Sequence, residues 1–150
     1  MTGIIVTGHG TFATGITSGL KLLAGEPENY EAVDFLPEDS IELLTEKLEA
    51  AISRLDPCEG ILILADLAGG SPFNVALRLK LGSAREIEVI GGTNLPVLLD
   101  SYMSRGMISD TVRLADSSLA NGREQLIRYH VEPAGSRSGN EDDDEIECED

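Results

Sequence analysis

Residues 60–66 read G-I-L-I-L-A-D. The five residues from Ile61 to Ala65 are apolar without alternation, so both faces of this short run must be covered. That is the demand of a central strand in a parallel sheet with helices on both sides. Leu67–Gly70 follows as a tight turn. Ser71 then reads as a helix N-cap and Pro72 as the first helical position, opening a helix over Phe73–Lys80.

The same alternation of strand and helix extends outward in both directions. Upstream, Ile4–Thr7 reads as a strand, and Phe12–Ala24 as a helix with Phe12, Ile16, Leu20 and Leu23 on one face, stopped by Gly25. Tyr30–Leu36 reads as a weaker strand. Asp39 offers the next N-cap, with Glu42 three residues on and Ile41, Leu44, Leu48, Ala51 and Leu55 on the apolar face behind it. Downstream come a strand at Glu86–Gly91, helices at Pro96–Met103 and Asp110–Ala120, and a last alternating strand at Gln125–Val131, with Gly122 as a possible hinge before it. This order predicts an α/β fold, a doubly wound open sheet of four parallel strands with helices on both faces.

Charge and composition narrow the function. The net charge of −16 argues against nucleic acid as a partner and favours basic protein partners. Half of it sits in residues 138–150, where eight acidic groups and no basic one predict a disordered acidic tail. No apolar run approaches the roughly 20 residues that span a bilayer, and no basic leader opens the chain, so neither membrane insertion nor a signal peptide is expected. Cys58 and Cys148 lie far apart, one of them in the acidic tail, which suits a reducing cytoplasm better than a disulfide.

Two strand ends carry the chemistry. The first is Gly8-His9-Gly10, where flanking glycines leave an imidazole open to approach. The third ends at Asp66, with Gly69, Gly70 and Ser71 opening a helix just behind it. First and third strands are commonly neighbours at the switch point of a doubly wound sheet, which would let His9 and Asp66 touch. A carboxylate there fixes the imidazole tautomer and leaves the other ring nitrogen as a nucleophile. The start of the helix supplies backbone N–H groups and a positive dipole end suited to a phosphoryl group. Taken singly, each feature has a bland reading: a structural histidine, a strand-ending aspartate, a good helix start. Their convergence on one sheet edge favours chemistry. The glycine turn is no P-loop, since no Lys-Ser or Lys-Thr follows it, and there is no Cys/His cluster. The expected chemistry therefore uses no nucleotide, no metal and no other cofactor. His130, the only other histidine, reads as a surface or interface residue.

I-I-V-T-G-H-G at 4–10, V-D-F-L-P at 33–37, I-L-A-D-L-A-G-G-S-P-F-N-V-A at 63–76, V-I-G-G-T-N-L-P-V-L at 89–98 and A-N-G-R-E at 120–124 together resemble the IIA domain of the mannose-class enzyme II of the bacterial phosphoenolpyruvate:sugar phosphotransferase system. The resemblance covers about residues 1–132, and 133–150 falls outside it as the tail. It implies that His9 accepts phosphate at Nε2 from the histidine phosphocarrier protein HPr, that Asp66 orients it, and that Ser71 contacts the phosphate, with Gly10 and Gly70 lining the same site. It also implies delivery to a IIB domain, here expected on a separate polypeptide, and through it to a sugar imported by membrane subunits IIC and IID. A cytoplasmic homodimer exchanging its last, antiparallel strand is implied as well. Phe12 and Leu67, beside the two strand ends, are candidate partner-docking residues. Two rivals share the fold: the phosphotransfer subunit of a dihydroxyacetone kinase system, whose histidine is typically followed by Ser where this chain has Gly10, and a phosphorylation-dependent regulatory module.

Overall fold

The computed structural model describes residues 1–133. The acidic stretch 138–150, and with it most of the proposed tail, lies outside the described residues. Four parallel strands form one sheet: β1 (Gly3–His9), β2 (Tyr30–Phe35), β3 (Gly60–Ala65) and β4 (Glu86–Ile90), in the spatial order β2-β1-β3-β4. Five helices connect and cover them: α1 (Phe12–Ala24), α2 (Ile41–Arg54), α3 (Ser71–Gly82), α4 (Leu95–Ser104) and α5 (Thr111–Glu124). The expected α/β class and parallel four-stranded sheet are therefore what the chain forms.

Strand alternation sorts the core into two layers. Ile5, Ile61, Ile63 and Ile87 face α2 and α3, where they meet Leu44, Leu48, Val75 and Ala76. Ile4, Val6, Leu62 and Leu64 face the opposite way, onto Ala13, Leu20, Val97, Leu98 and Leu114 of α1, α4 and α5. Every residue of β3 is buried, as its uninterrupted apolar run requires.

Two of the expected helix caps fall on other residues, and α4 and α5 begin at Leu95 and Thr111, one residue from the starts read in the sequence. Ser40, not Asp39, caps α2, its hydroxyl accepting from Leu43 N–H at 3.0 Å. Asp39 is diverted: its Oδ2 accepts from Leu36 N–H at 2.9 Å and from Lys47 Nζ at 2.6 Å. At α3 the cap is Gly70, so Ser71 and Pro72 occupy the first two helical positions. Extended backbone at Gly70 makes this possible, with φ −74° and ψ 168°, and Pro72 is tolerated because a first-turn N–H has no helical partner to lose.

The C-terminal end departs more. Gln125–Val131 is not a strand. α5 runs on to Glu124, and the chain beyond its cap at Gln125 has no regular structure through residue 133. Leu126, Ile127, Tyr129 and Val131 are all exposed. Alternation alone does not make a strand; a ladder partner is needed, and this segment pairs with neither sheet edge of its own chain. Nor is Gly122 a hinge. It lies in α5, buried, where a Cβ would come within 2.0 Å of Val97 Cγ2, so it is the contact that lets α5 lie against α4.

Candidate active site

β1 and β3 are adjacent, with Thr7 paired to Ala65, and the chain turns in opposite directions from them. Their carboxyl ends thus form the switch-point crevice, and His9 and Asp66 meet there. Asp66 Oδ2 lies 2.8 Å from His9 Nδ1 and also accepts the His9 backbone N–H at 2.9 Å. Its other oxygen, Oδ1, accepts Leu67 N–H at 2.8 Å. One carboxylate thereby holds both the backbone and the ring of the histidine. With Nδ1–H donating to Asp66, Nε2 carries the free lone pair.

Partial burial pushes the Asp66 carboxyl towards protonation. The hydrogen bonds from the His9 backbone and ring and from Leu67 outweigh that, and the pKa falls below the ordinary 3.8. Asp66 is accordingly an anion at neutral pH, held at 11% side-chain exposure, while the His9 side chain is 46% exposed. The acceptor of the pair is sheltered and the imidazole is reachable by another protein.

The helix behind the pair closes on the ring. A Cβ added to Gly70 would lie 2.8 Å from His9 Cε1 and 3.5 Å from Nε2, so the Cε1–Nε2 edge rests on the cap of α3. Gly70 donates to Leu67 O at 3.4 Å, and the Asn74 amide donates to Gly69 O at 3.0 Å, fixing the turn between β3 and α3. Ser71 stands at the first helical position, and its hydroxyl makes no hydrogen bond among the described residues. In the first turn of α3, Ser71 and Phe73 carry backbone N–H groups, Pro72 carries none, and no side chain caps them. Gly10 sits at φ +59° and donates to Phe35 O at 2.7 Å.

Of the residues singled out from sequence, His9, Asp66, Gly10, Gly70 and Ser71 share this one edge. The two docking candidates part company. Leu67 is 58% exposed next to Asp66, whereas Phe12 is half-buried against the core and lies under Gly8. Two neighbours went unread. The Phe35 ring is 6.0 Å from the His9 ring, tilted by 60°, and Asp34 bonds the first turn of α1. Both belong to the quoted V-D-F-L-P segment, but only the β1–β2 register, with His9 opposite Phe35 and Gly8 opposite Asp34, brings them to the site. Among the described residues no group of His, Cys, Asp or Glu could hold a metal ion, and no helix is long and apolar enough to cross a membrane.

Fold and site together define a doubly wound parallel domain with an exposed, carboxylate-oriented histidine beside an open helix start. Comparison with known proteins says which kind. The family model for the phosphotransferase-system (PTS) fructose IIA component, EIIA-man, matches residues 3–118. The PTS mannose-specific EIIAB component of Escherichia coli strain K12 is 37% identical over 130 residues, which is 87% of this chain and 40% of that protein. The sorbose-specific EIIA component of Lacticaseibacillus casei is 32% identical over 106 residues, 71% of this chain and 75% of that one. The crystal structure of a PTS EIIA component from Streptococcus agalactiae superposes with TM-score 0.80 at 32% identity, covering 85% of this chain and 97% of that one. The chain belongs to the mannose-class EIIA family of the sugar phosphotransferase system, whose members are phosphotransferases. It spans about 40% of the length of the E. coli relative.

Proposed function

We propose that this protein is a phosphoryl carrier in sugar import, taking phosphate from phospho-HPr onto His9 Nε2 and handing it to a IIB protein. The observation that carries the reading is the 2.8 Å contact between Asp66 Oδ2 and His9 Nδ1 with the opposite ring edge against the α3 cap. In acceptance, the Nε2 lone pair attacks phosphorus, and the bond from phosphorus to the donor imidazole breaks with its electron pair returning to the donor nitrogen. His9 becomes cationic, and Asp66 supports that charge through Nδ1–H. The Ser71 hydroxyl and the first-turn N–H groups of α3 receive the phosphoryl oxygens, and Gly10 and Gly70, whose own N–H groups go to Phe35 O and Leu67 O, leave room beside them. Delivery to IIB is the same displacement with His9 as the leaving group. The protein supplies position and charge, and neither nucleotide nor metal takes part.

Leu67, exposed beside Asp66, is the apolar contact for the two partners, and Phe12, half-buried under Gly8, backs the β1 end of the same edge. Transfer in both directions calls for a small, short-lived interface. IIC and IID are reached only through IIB, which places the work in the cytoplasm. The unpaired segment Leu126–Val131 is the element a homodimer would exchange, pairing with the free edge of β4 in a second copy.

The test is reconstitution with labelled phosphoenolpyruvate, enzyme I and HPr. The wild type takes up one phosphate per chain, labile in acid and stable in base, and His9→Ala takes up none while its melting curve stays cooperative. Uptake by His9→Ala, or no uptake by the wild type, overturns the proposal.

A further inference from the structure

α1 begins directly after the His9–Gly10 turn, yet it lacks a cap of its own. Thr11 at the N-cap makes no side-chain cap bond, and its backbone sits at φ −100°, ψ 27°. The N–H of the third helical residue, which an N-cap side chain normally takes, belongs here to Thr14. It is taken by Asp34, from the end of β2: Thr14 N–H donates to Oδ1 at 3.1 Å and Thr14 Oγ1 to Oδ2 at 2.9 Å. On the other side of the turn, Gly10 N–H donates to Phe35 O at 2.7 Å. The segment carrying His9 is thus fastened to β2 at both ends, while Asp66 grips His9 from β3.

We propose that Asp34 is a positioning residue for phosphoryl transfer, capping α1 from a neighbouring strand so that the His9–Gly10–Thr11 turn cannot swing away from Asp66 and the α3 cap. This rests on His9 being the carrier. The two carboxylates divide the work: Asp66 sets the ring, and Asp34 sets the backbone on which the ring is mounted. Asp34 touches neither the imidazole nor the incoming phosphate, so it acts on the rate of transfer rather than on the docking of the donor. An ångström of misplacement at the reacting atoms is enough to slow a transfer by tenfold or more.

The experiment compares Asp34→Ala and Asp34→Asn with wild type in single-turnover transfer from phospho-HPr, with rates expressed per folded molecule. Asp34→Ala lowers the maximal transfer rate about tenfold, leaves the half-saturating phospho-HPr concentration within about twofold, and leaves the phosphate on His9. Asp34→Asn recovers most of the rate. Its amide oxygen can still accept Thr14 N–H, and the Thr14 hydroxyl, which already lies 3.3 Å from Thr11 O, can donate there and accept from the amide nitrogen. A wild-type rate in Asp34→Ala overturns the assignment. So does a loss in Asp34→Ala that the asparagine does not repair, or one seen only in half-saturation. Failure of the carrier reading itself shows separately, because then the wild type accepts no phosphate.

Discussion

At Asp66 two effects oppose each other: partial burial, which favours the neutral acid, and hydrogen bonds from His9 and Leu67, which favour the anion and prevail. A carboxyl whose folded pKa lies below its unfolded value stabilises the fold above the unfolded pKa. That contribution disappears as pH falls through the lower, folded value. Asp66→Asn is therefore expected to be less stable than wild type at neutral pH and to lose less on acidification, so that the two stabilities converge below about pH 4. Chemical denaturation across pH 2–7 checks this, and parallel curves would contradict it. Asp39, also held low by Lys47 and Leu36, keeps some acid sensitivity in both proteins. His9 and Asp66 were legible as residues because a strand-end histidine between glycines and a strand-end aspartate are written locally. Asp34 was not, because its partner Thr14 is twenty positions away and no short-range pattern links a strand carboxylate to another helix's first turn.

Among the elements, the parallel strands, α1 and α2 are written in hydrophobic period: Leu20, Leu44, Leu48 and Ala51 are buried as that period requires, while Leu23 and Ile41, near helix ends, are exposed. The errors fall where backbone geometry or a distant partner decides. Extended backbone at Gly70 moved the α3 cap one residue upstream, and Lys47 drew Asp39 away from capping α2. Gly122 looked like a break because glycine disfavours helix, yet it is there for the approach of Val97. Gly122→Ala is accordingly expected to destabilise rather than to help α5: the added methyl meets Val97 Cγ2 at 2.0 Å, and overpacking of this kind costs about 1–3 kcal/mol. Thermal unfolding should show a midpoint lowered by several degrees. An unchanged or raised midpoint would mean that α4 and α5 are free to shift apart.

At the scale of the whole molecule, the sheet among the described residues has two open edges, β2 and β4, and an apolar segment at 126–131 pairs with neither. Sequence showed the alternation of that segment but named no ladder partner for it. If a second copy provides the edge, ending the chain at Gln125 should convert a dimer to a monomer in sedimentation at micromolar concentration, with the His9 site still accepting phosphate. A full-length chain that sediments as a monomer would refute exchange. Where the phosphate resides at the carboxyl edge of the sheet is read by combined phosphorus and nitrogen NMR of the chain phosphorylated through enzyme I and HPr. A single phosphohistidine is expected, on His9 at Nε2, with Nδ1 protonated against Asp66. Phosphate on His9 Nδ1, on Ser71 or on His130 would contradict it.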